Sequence, residues 1–218
     1  GGICRLIAAA AMVRAFDRPD LAPPMEVIAQ TRAVLGRIDL DPYTTPVLNQ
    51  LVLAARIYDR DTEAFDLVIA KDWEAPNDRR TFVGPPIGAA ATRRLLNKTL
   101  REYRAGRVSE AILWIGHNES IIRCPWIWDF PVCLPFRRLR PCYYDDELEQ
   151  FRTVSPSDWS AVVYLPPSDN AALFHARLSR FHVAFSAIGR VVFNQHSGEG
   201  DWEEAYKAVM RHPYNYRG

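Results

Sequence analysis

The run Ala111-Ile112-Leu113-Trp114-Ile115 is apolar without interruption, as expected of a strand buried on both of its faces. Working outward, residues 92–103 carry Leu96, Leu100 and Tyr103 on one helical face, and Gly106 follows the helix end. Further upstream, Arg80-Thr81-Phe82-Val83 reads as a strand leading into the turn Gly84-Pro85-Pro86, and residues 65–71 read as another strand. Thr45 is placed to cap a helix with Pro46 in its first turn and Leu48, Leu51, Val52 and Ala55 as its stripe. Residues 37–41 form a short strand stopped by Pro42. Before it, a helix starting at Pro23-Pro24 carries Val27, Ile28, Thr31, Val34 and Leu35 to a stop at Gly36. Downstream, residues 131–136, 161–165 and 183–185 are expected strands, and Asp169 caps a helix reaching Phe181. Residues 201–210 read as a terminal helix bearing Trp202, Tyr206 and Val209.

Strands alternating with helices at this spacing predict an α/β fold: an open, mostly parallel sheet with helices on both faces. Ligands in such sheets sit beyond the carboxyl ends of the strands. Asp41 and Gly84-Pro85-Pro86 both follow expected strands, so they are expected to share one cleft. Three units are expected: an N-terminal helical appendage over 1–20, an α/β domain over 21–185, and a C-terminal extension with a helix over 186–218.

The chain has 218 residues, 48% hydrophobic and 24% charged, the composition of an ordinary globular protein. No apolar run is long enough to span a bilayer, so no membrane association is expected. A formal charge of +1 excludes an overall basic field of the kind that drives non-specific nucleic-acid binding. The cysteines Cys4, Cys124, Cys133 and Cys142 form no Cys-x-x-Cys pair and fit neither a zinc site nor a disulfide framework. Buried, reduced thiols in a cytoplasmic protein are the expectation.

Arg137, Arg138 and Arg140 form the strongest basic cluster, beside Tyr143 and Tyr144. Arginine interleaved with aromatics suits phosphate contact and base stacking. The neighbouring acids Asp145, Asp146, Glu147 and Glu149 make a salt-bridged surface the rival reading. His117-Asn118-Glu119 follows the apolar strand and should lie at the edge of the same cleft. His175 and His182 have no carboxylate or cysteine at ligand spacing, so no metal is expected. Trp126 and Trp128 are expected in the core or under a loop.

The segment Gly36-Arg37-Ile38-Asp39-Leu40-Asp41-Pro42 resembles the Gly-Gly-Ile-Asp-Leu-Asp-Pro segment of phage and prophage DNA N6-adenine methyltransferases. The helix from Asn49 to Ala55, Arg56-Ile57-Tyr58, and Trp73 follow in the family's order. So do residues 102–112, Trp128-Asp129-Phe130-Pro131-Val132-Cys133, Phe136-Arg137-Arg138-Leu139-Arg140 and residues 155–165. The resemblance covers roughly residues 20–185, and its shared order makes it more specific than any one piece. It implies a Rossmann-like fold that binds S-adenosylmethionine. It also implies that Asp41 and Pro42, with Pro23 and Asp39, lie on the cofactor side; strand-end and capping roles fit the two acids equally.

Where the family carries Asn-Pro-Pro-Tyr, this chain has Gly84-Pro85-Pro86-Ile87. In the family, the asparagine accepts hydrogen bonds from the adenine amino group, and the aromatic residue stacks on the flipped base. Gly84 has no side chain to accept such a bond and Ile87 no π-face, while Pro85 and Pro86 keep the turn. A second departure is Leu21-Ala22-Pro23 in place of the family's Tyr-Thr-Pro, expected to be an independent loss at the same cleft. The resemblance therefore implies a divergent DNA adenine-N6 methyltransferase homologue of phage or prophage origin, in a bacterial cytoplasm, with methyl transfer weak or lost. The alternative is a non-catalytic binding or structural module, such as a DNA-associated, virion or assembly protein, meeting a protein partner through its terminal extensions.

Overall fold

The computed structural model describes residues 21–73, 79–85, 88–156, 158–167 and 171–193. The N-terminal appendage, the helix expected at 201–210, Asp169, Pro86 and Ile87 lie outside them. Helix α1 (Met25–Leu35) begins behind Pro24 and ends at Gly36, whose φ of 75° favours glycine. Its stripe Val27, Ile28, Thr31, Val34 and Leu35 is buried, as the spacing predicts.

Strand β1 (Leu40–Thr44) starts at Leu40 instead of Arg37 and contains Pro42, which was expected to stop it. The ladder to the next strand slips between Asp41 and Thr44, and β1 meets its other neighbour only at Leu40. No ladder bond is therefore asked of Pro42, which has no N–H to give. Helix α2 (Pro46–Val52) is capped by Thr45, whose Oγ1 accepts from Leu48 N at 3.2 Å. It stops before Ala55, because the Asn49 side-chain amide bonds both N and O of Ala54 and turns the chain into β2 (Arg56–Asp59).

Residues 65–70, expected as strand, form α3 (Phe65–Ala70). A short apolar run leaves the two periods indistinguishable; burial of Val68 between exposed Asp66 and Leu67 and half-buried Ile69 fits one helical face. Then come β3 (Arg80–Val83), α4 (Ala89–Arg104), β4 (Glu110–Ile115), α5 (Asn118–Arg123) and a 3₁₀ turn (Pro125–Asp129). Strand β5 (Val132–Pro135), a hairpin of β6 (Cys142–Asp145) and β7 (Gln150–Thr153), and β8 (Ala161–Leu165) follow. Helix α6 (Ala171–Phe185) absorbs residues 183–185, expected as strand, because Phe174, Leu178, Phe181 and Phe185 share one buried face. Strand β9 (Gly189–Val192) pairs with β5, so the segment assigned to a C-terminal extension opens with a strand of the main sheet.

The main sheet has the order β2-β1-β3-β4-β8-β5-β9. Strands β2, β1, β3 and β4 are parallel, whereas β8 is antiparallel to β4 and β5, and β9 to β5. This is a mostly parallel, mixed α/β sheet. Every residue of β4 and β8 is buried. On one face Ile112, Phe82 and Tyr164 pack with α1 and α6; on the other Leu113, Val83 and Val163 pack with α4 and α5. No helix among the described residues is long and apolar enough to cross a membrane.

Candidate functional site

The chain leaves β1 for β2 on one side, then returns past β1 to place β3 on the other. That reversal marks the carboxyl ends of β1 and β3 as the place where an open α/β sheet forms a crevice. Gly84 and Pro85 follow β3 there, and Thr44 and Thr45 close β1.

The segment ahead of α1 lies against this end of the sheet. Ala22 N donates to Cys142 O at 2.8 Å and Cys142 N to Ala22 O at 3.0 Å, which fixes the segment ahead of α1 against β6. Ala22, Leu48 and Cys142 form a small core there, backed by Leu51 and Phe151. Pro23 is thereby laid on Gly84. A Cβ at Gly84 would sit 2.7 Å from Pro23 Cγ and 3.1 Å from Cδ, closer than real Cβ atoms approach. The Pro23 ring thus occupies the space that a side chain at position 84 would need.

Asp41 lies one level lower, on β1, and is 2% exposed. Its Oδ1 accepts from Tyr43 N at 3.3 Å, where the register slips. Burial pushes its carboxyl up to about 7, an effect that Tyr43 N–H and the charge of Arg60 only partly offset. Pro42 is buried beside it. Asp39 precedes β1. Its Oδ2 accepts from Arg80 N at 2.9 Å, fastening the start of β3, and its Oδ1 pairs with Arg37 at 2.9 Å. Of the four expected cofactor residues, Pro23 meets Gly84 after β3, Asp41 and Pro42 lie within β1, and Asp39 lies just ahead of it.

Extending the pairing of Val83 with Leu113 makes Trp114 the neighbour of Gly84. The Trp114 ring folds over Gly116, where a Cβ would lie 3.0 Å from Cη2. Trp114 Nε1 and the Oγ atoms of Ser120 and Ser160 are buried without a hydrogen-bond partner among the described residues. His117 follows β4 as expected and reaches Asp158 at 3.5 Å, while Glu119 pairs with Arg123 at 2.6 Å.

The arginine cluster occupies the loop after β5 at this same edge. Arg137, Arg138 and Arg140 are exposed around buried Leu139. Arg137 pairs with Glu26 at 2.9 Å, and the Arg138 guanidinium lies 6.0 Å from the Trp159 ring centre. Sequence reasoning did not single out Phe136 or Trp159; Phe136 next to Arg137-Arg138 was the available signal, and Trp159 carried none. Trp126 is buried as expected, with Nε1 donating to Asn97 Oδ1 at 2.9 Å, but Trp128 is exposed. Cys124, Cys133 and Cys142 are buried free thiols, and burial pushes the first two up to about 11 and 12.

The amino edge of the sheet is different in kind. Tyr164 OH donates to Glu110 Oε1 at 2.5 Å, and Arg177 approaches Glu110 at 3.9 Å while donating to Val34 O at 2.8 Å. On the opposite face, buried Glu102 accepts from Trp73 N at 3.0 Å, Lys98 Nζ at 2.6 Å and Arg107 Nε at 2.5 Å. Burial alone would raise the Glu102 carboxyl; the bonds from Arg107, Lys98 and Trp73 outweigh it and bring it down to about 2.

At this end of the sheet, position 84 offers no side-chain acceptor, the Pro23 ring stands over it, and Asp41 is turned to its own backbone. No group of three or more metal-ligating side chains occurs among the described residues. Comparison with models of known protein families gives no match for this chain, and comparison with curated proteins gives none.

Proposed function

We propose that this chain is a divergent homologue of the phage-type DNA adenine-N6 methyltransferases whose α/β fold serves as a binding module and no longer methylates adenine. The contact between Pro23 and Gly84 carries this reading. Attack of an adenine amine on a sulfonium methyl needs no strong base; it needs the nitrogen lone pair held in line. With glycine at position 84, isoleucine at 87 and a proline ring over the first of them, the turn lacks the side-chain acceptor and the stacking ring that would hold it. Losing that positioning costs several orders of magnitude in rate. The ordered sequence matches over roughly residues 20–185 and the reversal of strand order beside Asp41 support the homology.

The test is transfer of labelled methyl from S-adenosylmethionine to adenine-containing duplex and single-stranded DNA, together with calorimetric titration of the cofactor. We expect no adenine methylation and no saturable heat. Methyl incorporation by the wild-type chain, lost in a Pro85→Ala variant that remains folded, would overturn the reading.

A further inference from the structure

We propose that the loop after β5, together with the turn entering β8, is a stacking platform for single-stranded nucleic acid. Phe136 is 68% exposed and Trp159 42% exposed, unusually open for large aromatics. Neither hangs loosely. Phe136 N donates to Ile188 O at 3.1 Å, so its backbone is tied to the β9 side of the sheet. Trp159 Nε1 donates to Pro135 O at 3.1 Å, which fixes the indole while leaving a face open. Leu139, buried, pins the loop between them.

The charge around these rings is arginine. Arg138 lies over the Trp159 ring, and neither Arg138 nor Arg140 forms an ion pair among the described residues; Arg137 is held by Glu26. An exposed ring takes a base on its π-face, and a guanidinium beside it takes the phosphate that follows. Both features are needed for a strand with unpaired bases, because a duplex hides base faces in its stack.

The surroundings select the same ligand. The chain carries a net charge of only +1, and Asp145, Asp146, Glu147 and Glu149 stand at the hairpin turn beyond the loop. Asp158, paired with His117, lies next to Trp159. These acids oppose a broad phosphate track along a duplex and confine favourable contact to a few nucleotides. The platform goes beyond the loss of methylation and stands on this surface alone.

The experiment is fluorescence anisotropy of a labelled 20-nucleotide oligothymidylate titrated with the full chain, at low and moderate salt. Wild type should bind, and the matching duplex should bind at least tenfold more weakly. Phe136→Ala should weaken binding by roughly tenfold, the loss of one stacked base, and Phe136→Trp should restore it. Arg138→Ala, a change on the surface that spares the core, should weaken binding and flatten its salt dependence. Absence of binding, equal affinity for the duplex, an unchanged Phe136→Ala, or equally tight binding of polyglutamate-displaceable heparin in place of stacking would each overturn the platform. Methyl transfer by the wild type would sink the preceding reading and leave this one intact; failure of the oligonucleotide to bind does the reverse.

Discussion

The two edges of the central sheet handle buried polar atoms in opposite ways. At the amino edge, Glu110, Tyr164 and Arg177 bind one another on one face, and Glu102, Lys98, Arg107 and Trp73 N do so on the other. At the carboxyl edge, Trp114 Nε1 and Ser160 Oγ are buried without partners among the described residues, and Asp41 is held by one backbone N–H. Buried polar groups normally find partners, because leaving one unmade costs more than making it gains. The amino edge is therefore built for stability, and the carboxyl edge keeps buried polar groups without partners among the described residues.

The comparison breaks most sharply at Glu102. Replacing it with alanine strands Lys98, 4% exposed, without its carboxylate. We expect a loss of about 3–5 kcal/mol in urea denaturation at neutral pH; a loss under about 1 kcal/mol would mean that the amino edge is not the stabilising one.

The next effect is read in pH. A carboxyl raised from 3.8 to about 7 binds a proton in the folded state that the unfolded chain has released. Stability from Asp41 is thus full below about pH 4 and falls as pH rises through 7, by on the order of 2–4 kcal/mol. Asp41→Asn should flatten that fall between pH 5 and pH 8 in denaturation curves. Glu110, also raised by burial, leaves part of the slope behind. A variant with the full wild-type slope would show that Asp41 does not titrate there.

Gly84→Ala tests the contact of Pro23 with position 84. The added methyl meets the Pro23 ring at 2.7 Å, so a cost of about 1–3 kcal/mol is expected. Pro23→Ala in the same chain should recover most of it, giving a clear coupling in a double-mutant cycle. Additive effects would separate the two residues. The smallest expected change is Tyr164→Phe, which removes the donor to Glu110 and should cost about 1–2 kcal/mol; no change in melting would demote that bond.

Some of this was legible beforehand. The apolar run of β4, the proline-led start of α1 and the Thr45-capped start of α2 stood in the sequence because they depend on neighbours a few residues away. Residues 65–70 and 183–185 were misjudged because a short apolar run satisfies either period until its packing partner is known. Phe136 and Trp159 were not singled out because exposure is a property of the folded surface.

The sequence by itself determined the alternation of elements, the glycine and prolines of the turn after β3, and the arginines of the loop after β5. These are local matters of backbone freedom, side-chain type and period. Only the tertiary structure decided that Pro23 lies on Gly84, that Asp39 fastens the start of β3 while Asp41 turns to Tyr43 N, and that Arg138 faces Trp159. The contacts of Pro23, Asp39 and Arg138 join residues 21 to 61 positions apart in the chain (138 to 159, 23 to 84). Only chain reversal and sheet register bring such residues together or separate them, and neither is written in any short stretch of sequence.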